Sequence, residues 1–150
     1  MKKINIDLVF NLLFPLLVNF VISMLLGDFS SYYSNLNSLV RVPSILFPII
    51  WSILYLLIGY VSYKLDESAD IKGSNIFYIQ LLFNVLWTPL FFDLHLPLVS
   101  AIDIVILLGL SIYMLIYWFK NNKNLGYLWI PYVIWLSFAT FLNISIVILN

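Results

Sequence analysis

Gln80, Asn84, Trp87 and Phe91 recur at i, i+4, i+7 and i+11, and so share one face of a helix. Phe47, Trp51, Tyr55 and Ile58 repeat that spacing upstream. Pro131, Trp135, Phe138, Ala139 and Leu142 repeat it downstream, with Asn143 one step round. Three helices thus each present an aromatic stripe, and two of them carry an amide on or beside it. Trp51, Trp87 and Trp135, placed on these stripes, are candidates for lining a pocket. Helix packing is the other reading, because amides glue membrane helices together and large aromatics fill their gaps.

Few other residues could do chemistry. Asp103 is the one acid well inside an apolar run. A carboxylate within a membrane is costly and is a functional candidate by default; a protonated carboxyl, or one bonded to Asn or Ser of a neighbouring helix, is the alternative. His95 stands in a short turn with no second His or clustered acid, so no metal site is expected. The absence of cysteine excludes disulfides, thiolate nucleophiles and Cys-based metal sites. No Ser-His-Asp arrangement, Gly-rich phosphate loop or paired carboxylates occur, so hydrolase and nucleotide-driven chemistries have no visible machinery.

The elements that must position these residues are five apolar runs, at about 4–26, 44–63, 75–92, 97–119 and 125–149. About 20 helical residues cross the roughly 30 Å of a bilayer's hydrocarbon core. Apolar residues make up 63% of the 150 and charged residues 9%, where soluble domains carry about 25% charge; mean hydropathy is +1.04. The expected fold is an all-α membrane protein, a single domain over 1–150 of five transmembrane helices set in a lipid bilayer. A net charge of zero argues against nucleic-acid binding. Lys2 and Lys3 ahead of the first run look like a signal peptide, but the run is too long for one and no small-x-small cleavage pattern follows, so it reads as a retained anchor. Asn11, Pro15 and Asn19 within it indicate that part of this helix faces protein. Trp118 and Trp129, near span ends, read as interfacial anchors.

Six of the seven basic residues fall on one side: Lys2, Lys3, Lys64, Lys72, Lys120 and Lys123, against Arg41 alone on the other. The positive-inside rule then places the N-terminus in the cytoplasm and the C-terminus and the loop 27–43 outside. That loop holds 17 residues, several aromatic, and reads as a lid or an interfacial linker. Residues 64–74 read as a charged loop with Ser74 as the N-cap of the third helix, and 93–96 as a tight turn with Pro97 in the first turn of the fourth.

Three segments carry a family resemblance. Pro43, Phe47, Pro48, Trp51, Leu54 and Tyr55 follow the pattern P-x-x-x-F-P-x-x-W-x-x-L-Y. Gln80, Asn84, Trp87, Phe91 and Phe92 follow Q-x-x-x-N-x-x-W-x-x-x-F-F. Pro131, Tyr132, Trp135, Phe138, Ala139, Leu142 and Asn143 follow P-Y-x-x-W-x-x-F-A-x-x-L-N. In this order and spacing the chain resembles the TspO/MBR family, the tryptophan-rich sensory proteins related to the animal translocator protein. The resemblance covers essentially the whole chain. It implies a five-helix bundle, usually a homodimer, that binds porphyrins and other hydrophobic small molecules in a pocket beneath the first loop. The ligand-binding residues it implies are Pro43, Trp51, Tyr55, Asn84, Trp87, Trp135, Phe138 and Ala139, with the tetrapyrrole as ligand rather than cofactor. A bacterial plasma membrane is the expected location.

This chain departs from the family in the loop, where Tyr32-Tyr33 stands for a W-Y pair and a K-P-x-W segment is missing. The sterol-recognition pattern expected after Tyr132 is absent, although Leu115, Tyr117 and Lys120 satisfy that loose pattern elsewhere. The leading functional expectation is a membrane receptor or carrier for tetrapyrroles with a stress-sensing or regulatory role. The alternatives are a light- and oxygen-dependent porphyrin-degrading enzyme using Trp51 and Trp135, and a structural membrane partner.

Orientation has a direct check, because the chain has no cysteine of its own. Single cysteines placed at Ser34 and Ser68 should respond differently to a membrane-impermeant thiol reagent on intact cells, 34 labelled and 68 spared. The reverse pattern would invert the topology.

Overall fold

The computed structural model describes residues 6–25 and 29–150. Lys2 and Lys3, which carry part of the orientation argument, and positions 26–28 at the start of the long loop lie outside the described residues. The described chain forms α1 (Ile6–Leu25), α2 (Phe29–Ser34), α3 (Leu46–Ser68), α4 (Ile71–Phe92), α5 (Pro97–Asn121) and α6 (Lys123–Leu149). Helices α3 to α6 are each long and apolar enough to cross a membrane, and α1 adds a shorter apolar helix. The result is an all-α membrane bundle. Helix α1 packs on α3, α4 on α5, and α5 on α6, while α3 closes the bundle against α4 and α6.

Burial runs opposite to that of a water-soluble protein. Ile6, Phe10, Met24, Ile134 and Ile148 are more than half exposed, whereas Gln80, Asn84, Ser100, Asp103, Ser111 and Asn143 are buried. Lipid gives no reward for hiding leucine, but it offers nothing to an amide, so polar side chains turn inward to find each other.

The helix ends correct two expectations. Residues 64–74 are not a loop: α3 continues to Ser68, only Ala69 and Asp70 intervene, and α4 starts at Ile71. The apolar run marks the hydrocarbon slab, while the helix outlasts it where the flanking residues favour helix, here with Lys64 Nζ bonded to Glu67 at 2.7 Å one turn on. Asp70 rather than Ser74 caps α4, its carboxylate accepting from the Gly73 N–H at 2.9 Å. Ala69 closes α3 in the left-handed conformation, φ 52°. Pro97 does open α5, as its fixed φ favours.

Trp118 and Trp129 are the other correction. Both are fully buried, edge to face with ring centroids 5.2 Å apart. One residue, Asn122, separates α5 from α6, so the two helix ends lie against each other and the indoles interlock rather than reach the interface.

The loop between α1 and α3 folds over the end of the bundle at which α6 terminates. Asn37 donates its N–H to Asn150 Oδ1 at 3.0 Å, and Asn150 Nδ2 returns a bond to the Asn37 carbonyl at 2.9 Å. The Val42 N–H reaches the Tyr33 hydroxyl at 3.3 Å, which fixes the turn of the loop.

Gly59 is where α1 and α3 come closest. A Cβ there would meet the Asn11 carbonyl oxygen and would stand 2.7 Å from Leu12 Cα, backbone that cannot give way. Gly59→Val should therefore push α1 off α3 and cost at least the ~1–3 kcal/mol of overpacking. A lowered melting temperature in nonionic micelles would register it; an unchanged one would mean that α1 is not held at this point.

Candidate functional site

A chain of buried polar side chains crosses the bundle. The Tyr55 hydroxyl on α3 donates to Asn84 Oδ1 on α4 at 2.7 Å, and Asn84 Nδ2 donates to the Tyr132 hydroxyl on α6 at 2.8 Å. Tyr132 in turn donates to Gln80 Oε1 at 2.8 Å, and Ser111 on α5 reaches the same oxygen at 3.5 Å. None of the five is more than 2% exposed. Spacing of i, i+4 aims both amides of α4 at the α6 tyrosine. Four helices are thus pinned by groups that have no water to fall back on.

A second cluster lies nearer the loop. Trp87 Nε1 donates to Asn143 Oδ1 at 2.9 Å; Ser100 Oγ donates to the same oxygen at 3.1 Å; Asn143 Nδ2 caps the Pro97 carbonyl at 3.1 Å. The Trp87 ring stacks on Phe91 at 5.3 Å and on Trp51 at 6.5 Å, and Trp51 leans on Tyr55 at 5.5 Å. An amide therefore orients one indole, which orients the next.

Trp51 and Trp87 wall a cavity of about 220 Å³ between α1, α3 and α4, with Leu16, Asn19, Phe47 and Thr88 among its other residues. A crevice of about 10 Å³ lies beside it toward α6, roofed by Tyr33 of the loop and floored by Ala139 and Leu142. Phe47, Trp87 and Phe92 line both. Tyr32 covers this end of the bundle, stacked on His95 at 4.0 Å and edge-on to Phe91 at 5.7 Å. Partial burial raises the Tyr32 phenol above its ordinary value.

The residues expected from the sequence divide into three groups. Trp51, Trp87 and Ala139 line the two spaces. Tyr55 and Asn84 stand behind them, with both ends of the Asn84 amide occupied by tyrosines. Trp135 and Phe138 are half-buried and pair with each other at 5.5 Å, and Trp135 meets Phe47 edge-on at 6.2 Å; Pro43 is exposed at the loop end. The ring partners of Trp51 are Tyr55 and Trp87, not Trp135. Asp103 is buried on the inner face of α5, one carboxylate oxygen without a partner among the described residues, and lines neither space.

The buried stripe of α6 runs through Tyr132, Leu136, Ala139 and Asn143, and Pro131 faces out. Tyr132 and Gln80 help to join four helices, a role that their spacing in the sequence does not reveal. Asn19 is legible there as an inward polar residue on the first helix.

This fold and site define an integral membrane protein whose helices are tied by buried amide–tyrosine bonds and enclose an aromatic cavity beside a folded-over loop. The chain belongs to the TspO/MBR family, whose sequence model matches residues 11–149. It is 34% identical over 127 residues to the tryptophan-rich protein TspO of Chlorobaculum tepidum, covering 81% of this chain and 80% of that one. It is 35% identical over 115 residues to a translocator protein homolog of Schizosaccharomyces pombe, covering 72% and 70%. It is 34% identical over 122 residues to a tryptophan-rich sensory protein of Cereibacter sphaeroides, covering 79% and 77%.

Removing Asn84 tests the polar chain. Asn84→Leu strands the Tyr55 hydroxyl, at a cost of about 1–3 kcal/mol for an unmet buried group, while Tyr132 keeps its bond to Gln80. Its coupling to Tyr55→Phe in a double-mutant cycle should be near ~0.6 kcal/mol, the mean for interhelical bonds in membranes. Unfolding in mixed micelles measures both, and strict additivity would show that the Tyr55–Asn84 bond carries no energy.

Proposed function

We propose that this protein is a membrane receptor or carrier for tetrapyrroles of the protoporphyrin type and similar flat hydrophobic molecules, with a regulatory or stress-sensing role. The observation that carries the reading is the aromatic cavity walled by Trp51 and Trp87, with Trp87 held by Asn143. A rigid aromatic wall binds a macrocycle without first ordering its own side chains. The name of the Cereibacter sphaeroides relative, a sensory protein, agrees with the regulatory part.

At about 220 Å³ the cavity is smaller than the ~300–1,000 Å³ of ordinary ligand pockets. Entry of a macrocycle therefore requires the space to grow. Of the rings shared with the neighbouring crevice, Phe47 and Phe92 are the partition to be moved, while Trp87 stays on its bond to Asn143. With Tyr33 lifted along with the loop, Ala139 joins the same wall, and Trp135 and Phe138 flank it through Phe47. The loop is then a lid. Asn84 acts one step back, setting the position of Tyr55 on which Trp51 leans. Asp103 belongs to the bundle interior rather than to this pocket. In this reading the protein sits in a bacterial plasma membrane as a homodimer, with the lid outside and the N-terminus in the cytoplasm.

Protoporphyrin titrated into the purified protein should quench tryptophan fluorescence saturably. Trp51→Ala and Trp87→Ala should each weaken binding by about 2- to 13-fold, the equivalent of ~0.5–1.5 kcal/mol of stacking. Trp51→Phe should lose less, and protoporphyrin recovered after illumination should be unchanged. Unaltered affinity in both alanine variants would remove the cavity from the reading, and rapid multiple-turnover bleaching would favour the enzyme.

A further inference from the structure

A second cavity, larger than the aromatic one, lies elsewhere. Between the first half of α1, the last half of α3 and the start of α4, at the end away from the loop, lies a space of about 580 Å³. Phe10 and Phe14 of α1, stacked at 5.6 Å, form its apolar side together with Tyr78 and Leu81 of α4. Asp7, Asp66 and Glu67 stand on its polar side. Lys64 neutralises Glu67 at 2.7 Å, and its ammonium lies 5.2 Å over the Tyr63 ring. Among the described residues no cation reaches Asp7 or Asp66; Asp66 accepts one bond, from Asn11 Nδ2 at 3.3 Å. The independent sign of a ligand is Ser62. It lines the same cavity, is 6% exposed, and its hydroxyl has no hydrogen-bond partner among the described residues. Helical serines usually bond back to the carbonyl a turn earlier, as Ser52 and Ser137 do here.

We propose that this cavity is a second ligand site, separate from the aromatic one, for an organic cation with an apolar body. The cationic end sits between Asp7 and Asp66, the Ser62 hydroxyl faces the ligand from the floor, and the apolar body lies against Phe10, Phe14 and Tyr78. Two carboxylates that meet no cation among the described residues, set beside aromatic faces, favour a cation twice over, by charge and by ring quadrupole, and disfavour an anion on both counts. The site rests on none of the residues assigned to the tetrapyrrole pocket.

Tetraphenylphosphonium and tetraphenylborate, alike in shape and opposite in charge, make the test. Equilibrium dialysis of the labelled ions against the full chain in nonionic maltoside micelles, with empty micelles subtracted, should show saturable binding of the phosphonium only. Asp7→Asn and Asp66→Asn, both at exposed positions, should each weaken it by about tenfold, the scale of a single ionic attraction near a protein surface. Ser62→Leu should fill the floor and abolish binding, while Trp51→Ala should leave it unchanged. Displacement by phosphatidylethanolamine but not phosphatidylglycerol would make an aminolipid headgroup the occupant; no displacement by either would make it a free cation. Equal binding of the borate, no saturation above empty micelles, or full affinity in the Asp7→Asn, Asp66→Asn double variant would overturn the proposal.

Discussion

Everything in this bundle depends on where polar side chains can go when no water is available. Asn84 shows the constraint at its sharpest. Its amide has two ends, each end finds a tyrosine hydroxyl, and each tyrosine belongs to a different helix. Buried hydroxyls and amides that are fully paired fix rotation and depth together, because a helix sliding by one residue leaves several groups unmet at once. Apolar packing in lipid has no such discrimination; leucine against a neighbour is little different from leucine against an acyl chain. The register of α3, α4 and α6 is therefore written in amides and phenols. The aromatic rings inherit their positions from them, Trp87 through Asn143 and Trp51 through Tyr55.

Much of this can be read from the sequence, and the part that cannot has a common cause. The stripe of Gln80, Asn84, Trp87 and Phe91 is buried along its length, and Phe47, Tyr55 and Ile58 turn inward as their spacing requires. Periodicity works here because four positions in a row agree. Residue type puts the α6 stripe about one residue too early, because Pro131, Trp135 and Phe138 look like core although Tyr132, Leu136 and Asn143 are the buried ones. A helix that is apolar all round gives no phase. Trp118 and Trp129 mislead for a related reason: distance from a span end is visible in sequence, but the closeness of α5 and α6 around Asn122 is not. The end of α3 and the start of α4 escape detection because a hydropathy run measures the membrane rather than the helix.

The two cavities differ in the way their walls do. Near the loop the walls are chiefly indoles and phenylalanines, and the polar residues among them, Asn19, Ser52 and Thr88, are uncharged. At the other end carboxylates stand at the wall itself. Burial explains the contrast: a polar group beside Trp87 would have no solvent and must be bonded within the protein, whereas Asp7 and Asp66 remain exposed and need no partner to be stable.

The reciprocal bonds between Asn37 and Asn150 join two points of the chain 113 residues apart. They make the last turn of α6 the far anchor of the loop that covers the aromatic cavity. That turn is continuous with the α5–α6 hairpin, hinged at one residue and locked by two interleaved indoles. A displacement of Asn150 is consequently felt in the cover as well as along α6. Whatever is fused, tethered or docked at Asn150 pulls on a latch.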